Sequence, residues 1–121
     1  MKHLIVSLKT SDEIFDDFKK AMRGAKKGKL KRAHFEISFD NKKDFDRFAR
    51  NLHVLKYILI FKPKSVYELA KITKMDVSNL NKVILFFEEV GALKVRTSKV
   101  SGRTIKMPVV EYDTVEFNLA A

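Results

Sequence analysis

Between residues 65 and 93 the apolar positions recur at the three- and four-residue steps of two short helices set around a tight turn. Val66, Leu69, Ala70 and Ile72 supply the inner side of the first helix. Ser65-x-x-Glu68 opens it as a capping box, in which the serine oxygen accepts the backbone N–H three residues on and the glutamate reaches back. Lys74-Met75-Asp76 forms the turn, and Asp76 is the N-cap of a second helix whose Leu80, Val83, Ile84, Phe87 and Val90 share one side. Gly91 stops that helix as a C′ glycine. The pattern is that of a helix-turn-helix. Opposite the apolar side, near the start of the second helix, stand Ser78, Asn79, Asn81 and Lys82, where a recognition helix meets base edges in a major groove.

Upstream, His3 to Leu8 reads as a short strand. Thr10-x-x-Glu13 is a second capping box, starting a helix with Ile14, Phe15, Phe18 and Met22 on one side and ending near Gly24. His34 to Phe39 alternates polar and apolar, as a half-buried strand should. Asp40 or Asn41 caps a helix bearing Phe45, Phe48 and Leu52. The helical pattern resumes through Leu55, Ile58, Leu59 and Phe61 until Pro63, with a break near Asn51. After Gly91, Ala92 to Arg96 reads as a strand, Ser98 to Thr104 as a turn around Ser101-Gly102, and Ile105 to Val110 as a return strand. That hairpin is the wing of a winged helix. The tail from Val115 to Leu119 alternates like a further strand. The fold class expected is therefore α+β, with a strand-helix extension and basic connector over residues 1–33 and a winged helix-turn-helix over residues 34–121.

Charge sharpens this picture. The chain of 121 residues carries 25 Lys and Arg against 15 Asp and Glu, a formal +10, which calls for a polyanionic partner: nucleic acid, an anionic membrane or an acidic protein. Lys19, Lys20, Arg23, Lys26, Lys27, Lys29, Lys31 and Arg32 form the densest positive run, either a solvated connector or an arm that contacts phosphate. The hairpin adds Lys94, Arg96, Lys99, Arg103 and Lys106, with no acidic residue between Glu89 and Glu111. Because these cations adjoin the second helix, they are more telling than the connector.

Other chemistries find little support. The chain has no cysteine, which fits a reducing, cytoplasmic compartment and removes thiol nucleophiles. His3, His34 and His53 lack ligand spacing, so no metal is expected. Asp40, Asp44 and Asp46 sit at a helix start, where carboxylates complement the helix dipole, and need no catalytic role. Gly24 and Gly28 lack the patterns that cradle phosphate, so no nucleotide cofactor is expected either. No apolar run approaches the roughly 20 residues of a spanning helix. Met1 to Leu8 places a basic residue before a short apolar run, but Lys9, Asp12 and Glu13 follow without a cleavage site, so no signal peptide is expected. Neither an enzyme nor a membrane partner is expected.

The chain resembles a family of small predicted transcriptional regulators of prokaryotes, with a winged helix of the MarR-like and ArsR-like kind. The residues that carry the resemblance are Ile37-Ser38-Phe39, Val66-Tyr67-Glu68-Leu69-Ala70, Asp76-Val77-Ser78-Asn79-Leu80 and Glu88-Glu89-Val90-Gly91-Ala92-Leu93. It continues in Gly102-Arg103 and Pro108-Val109-Val110-Glu111-Tyr112-Asp113. Together these span about the last two-thirds of the chain. The resemblance implies sequence-specific binding of double-stranded DNA by a homodimer and, as in some such regulators, an antitoxin role beside a toxin partner.

The sequence departs from the family at Val83-Ile84-Leu85-Phe86-Phe87, which is continuously apolar where relatives carry charge. One or two of the five must face away from the domain's own core. Either the wing and first helix cover them, or they form a dimer or partner surface. Two readings follow. In the first, a DNA-binding regulator, a repressor or antitoxin-like autoregulator, reads bases with Ser78, Asn79 and Asn81. It holds phosphate with Lys82 and the wing residues Lys94, Arg96, Lys99, Arg103 and Lys106, and with Ser65 at the start of the first helix. In the second, the scaffold is a protein-interaction module that binds a toxin or the transcription machinery without specific DNA binding.

Overall fold

Local signals place most of the elements. In chain order they are β1 (Lys2–Leu8), β2 (His34–Phe39), α1 (Lys42–Arg50), α2 (Leu52–Phe61), α3 (Val66–Thr73), α4 (Val77–Val90), β3 (Lys94–Val100), β4 (Arg103–Val109) and β5 (Tyr112–Asn118). This computed structural model describes residues 2–9 and 34–119; the helix expected from Thr10 and the basic segment 19–32 lie outside the described residues. The fold is mixed α+β. Backbone contacts divide it into two units, residues 1–47 with 113–121 and residues 48–112, the division falling within α1 between Arg47 and Phe48.

In the first unit, β1 is the central strand of a three-stranded sheet of order β2-β1-β5. β1 and β2 run parallel, from His3 opposite His34 to Leu8 opposite Phe39. Leu4, Val6, Ile37 and Phe39 share one face and are buried. On the other face Ser7 and Lys9 are buried, and Lys9 Nζ lies 3.1 Å from Glu36 Oε1. The sequence reading assigned β2 and the tail strand to the helical domain, whereas both pair with β1 across the expected boundary at residue 33. Alternation marks a strand without naming its partner, and a parallel partner is reached only through a connection of a dozen or more residues. Asn41 caps α1, its side-chain oxygen accepting the Asp44 N–H at 2.8 Å, and Asp44 and Asp46 sit in the first turns of that helix.

The second unit packs α2, α3 and α4 with the β3–β4 hairpin, and β4 lies against both α2 and α3. The helical break falls at Asn51 as expected. α2 ends where Lys62 turns left-handed, with φ 47°, and donates its N–H to Ile58 O; Pro63 follows. Leu80, Val83, Ile84, Phe86 and Phe87 are the buried side of α4. Only one of the five consecutive apolar residues, Leu85, is exposed, at 48 %. A Schellman motif closes the helix: Gly91, at φ 88°, donates to Glu88 O and Ala92 donates to Phe87 O at 2.8 Å.

The hairpin turn is tighter than the expected Ser98–Thr104. β3 runs on to Val100, paired with Arg103, and only Ser101 and Gly102 connect the strands. Their φ values of 52° and 77° give the two-residue type I′ turn, whose twist matches that of the strands it joins.

Candidate nucleic-acid interface

α3 and α4 are set by their caps. Ser65 Oγ accepts the Glu68 N–H at 3.1 Å and Asp76 Oδ2 accepts the Asn79 N–H at 3.2 Å. The return bond of the first capping box is displaced by one residue, because Glu68 Oε2 accepts from Lys64 N at 3.4 Å rather than from Ser65. Between the caps, Lys74 adopts a left-handed conformation with φ 58°, which turns the chain from α3 into α4. This fixes which side of α4 faces out. Ser78, Asn79, Asn81 and Lys82 are all exposed, followed along the helix by Leu85, Glu88 and Glu89. The outer face is thus polar with one cation near the N-terminus, where the helix dipole is positive, and doubly acidic near the C-terminus. Lys82 and the dipole favour a polyanion at the first half, opposed by the exposed Asp76 carboxylate at the N-cap, and the second half repels it.

A cavity of about 410 Å³ adjoins this face, lined by Ser65, Val66 and Tyr67 of the α3 start, Val77 and Asn81 of α4, and Arg103 to Lys106 of β4. Four residues singled out from three separate stretches of sequence, Ser65, Asn81, Arg103 and Lys106, therefore meet in one concavity. Its donors are a side-chain amide, three hydroxyls, a guanidinium and an ammonium, and none of its described lining residues is acidic. Such a surface suits phosphate oxygens and base-edge acceptors.

Not every expected cation joins it. Lys94 Nζ is 3.2 Å from Glu111 Oε1, so part of its charge is neutralised within the hairpin base. Arg96 lines a different cavity, beside Lys62. Lys82, Lys99, Arg103 and Lys106 are exposed and have no ion-pair partner among the described residues. Lys99 stands opposite Thr104, one pair in from the hairpin tip.

Tyr67 was not among the expected site residues, yet it is 70 % exposed and lines the cavity. The signal was present: Val66, Leu69 and Ala70 point inward, so helical spacing turns residue 67 outward. An exposed tyrosine beside two cations offers both a ring for stacking and an O–H donor. No cluster of three or more metal-ligating side chains occurs among the described residues, and no described helix is long and apolar enough to cross a membrane.

Comparison with known proteins returns no match, neither to a family model nor to a curated protein nor to a solved structure.

Proposed function

We propose that residues 48–112 are a winged helix-turn-helix and that the chain is a sequence-specific, double-stranded DNA-binding regulator of transcription, acting in the cytoplasm as a homodimer. The observation that carries this reading is the convergence of Ser65, Asn81, Arg103 and Lys106 on one cavity, with no acidic residue in its described lining, beside the polar N-terminal face of α4. In this reading the first two turns of α4 enter the major groove, and Asn79 and Asn81 read base edges. Ser65, Tyr67 and Lys82 contact the flanking phosphates, while the β3–β4 hairpin is the wing, laid along the adjacent backbone with Lys99, Arg103 and Lys106. The net charge supports the same partner, since residues 48–112 hold twelve Lys and Arg against five Asp and Glu. A repressor or an antitoxin-like autoregulator is the regulatory role that fits, because such a domain binds an operator without chemistry of its own.

Leu85 favours a second reading. It is half exposed on the outer face of α4, between Lys82 and Glu89, where a helix lying in a DNA groove has little use for a leucine. Here the same face of α4 binds a protein, such as a toxin or a subunit of the transcription machinery.

Selection of bound sites from random double-stranded DNA separates the two. The DNA reading expects an enriched motif with two-fold symmetry, and binding that weakens steeply with salt. Absence of any motif, with no nucleic acid carried through purification at low salt, leaves the protein-interaction reading in its place.

A further inference from the structure

A second cavity, of about 320 Å³, lies within the helical unit, between the C-terminal end of α2 and strands β3 and β4. Ile58, Leu59, Met107 and Val109 give it apolar walls, and the charged groups that line it are Lys62 and Arg96. Both cations are exposed, and each is placed by backbone geometry. Lys62 is the left-handed residue that ends α2, and Arg96 stands directly opposite Met107 in the hairpin register. Two like charges thus flank an apolar recess with no acidic lining residue. That combination sets an apolar surface beside two positive charges.

We propose that this cavity binds a small amphipathic carboxylate, its apolar chain or ring against Ile58, Leu59, Met107 and Val109 and its carboxylate between Lys62 and Arg96. The volume stands at the lower end of the range for small-molecule sites, which suits a ligand of about ten non-hydrogen atoms. A neutral apolar molecule would leave two cations without a partner, and a short anion would leave the walls uncovered. Only a molecule with both parts satisfies the site. The guanidinium donates two parallel N–H bonds to a planar carboxylate, and the ammonium adds a point charge. This inference concerns the free protein and does not depend on DNA binding.

Octanoate is the probe, titrated into the full chain with isotope-labelled methionine methyl groups. The chain has four methionines, and Met107 lines the cavity, so its methyl resonance, assigned with Met107→Leu, is a local reporter. The expected result is a saturable shift of Met107 with a Kd on the order of 1 mM, a value in keeping with the size of the ligand. Acetate, which lacks the chain, and 1-octanol, which lacks the charge, should each bind about tenfold or more weakly. Arg96→Gln should lower octanoate affinity about tenfold, and Lys62→Gln about threefold, with thermal midpoints like that of the wild type because both side chains are exposed. No saturable shift with octanoate, an equal response to 1-octanol, or wild-type affinity in the Arg96→Gln, Lys62→Gln double variant would each overturn the proposal.

Discussion

Phe48 and Phe87 meet edge to face, their ring centroids 5.3 Å apart and their planes at 81°, and both rings are fully buried. Phe87 comes from the last turns of α4, and Phe86, tilted against it at 5.8 Å, extends the aromatic cluster. The contact joins the residue at the end of α1 to the helix that carries the outward polar face. It therefore holds α4 in place from behind.

Truncating either ring should be costly. Phe87→Ala is expected to destabilise the protein by about 3–5 kcal/mol, the usual range for emptying a buried aromatic site. In a double-mutant cycle with Phe48→Ala the coupling should be about 0.5–1.5 kcal/mol, the part that belongs to the ring pair rather than to burial. Urea unfolding of the four proteins measures both; additive losses would mean the rings pack without a specific pairwise term.

Salt dependence follows from four exposed cations around the candidate interface that have no ion-pair partner among the described residues. If Lys82, Lys99, Arg103 and Lys106 each neutralise one phosphate in each subunit of a dimer, the slope of log K against log salt should be roughly −7. Lys94→Gln should change that slope little, because Lys94 is already engaged with Glu111 at 3.2 Å. Fluorescence anisotropy over a salt series reads both values, and a slope shallower than about −2 would remove the phosphate contacts from the reading.

At the hairpin tip, Gly102 and Arg103 separate fold from binding. Gly102 has φ +77°, and a Cβ there would meet nothing within 4 Å, so Gly102→Ala tests backbone conformation alone. It should cost about 1 kcal/mol of stability. Arg103→Ala should leave stability within about 0.5 kcal/mol while weakening binding. The loss should be uniform across sequences if Arg103 contacts phosphate, or should alter A·T preference if it enters a minor groove. Unchanged DNA affinity in Arg103→Ala would take the tip out of the interface.

Sequence choice should rest on Asn81, which is exposed on α4 and lines the cavity with Arg103 and Lys106. A bidentate pair between asparagine and adenine contributes about 1–3 kcal/mol of discrimination. Asn81→Ala should therefore relax one base position in each half-site, appearing twice, symmetrically, about 10 base pairs apart. Lys82→Ala should instead lower affinity evenly. Identical selected sites for wild type and Asn81→Ala would end the assignment of base reading to this residue.

Among the described residues the helices, their caps and their breaks were legible along the chain, because the signals that set them act within four residues. Ser65 and Asp76 cap α3 and α4 with their side chains and Gly91 ends α4, each where hydrogen-bonding capacity or backbone freedom is locally required, while Asn51 separates α1 from α2 without a side-chain cap. The exposure of Ser78, Asn79, Asn81 and Lys82 was legible for the same reason: helical spacing fixes which side is polar. The partners of β2 and β5 were not, since an alternating strand is compatible with any sheet edge and β1 lies 31 positions before its match in β2. Nor was the length of the hairpin turn, which depends on two left-handed residues rather than on composition, nor the burial of Phe86 beside the exposed Leu85. The division of the basic residues was decided in three dimensions as well. Five cations that look equivalent in sequence became an ion pair at Lys94, a wall of one cavity at Arg96, walls of the other at Arg103 and Lys106, and an exposed Lys99 one pair in from the tip, because the packing of the hairpin, not charge, determines what each side chain meets.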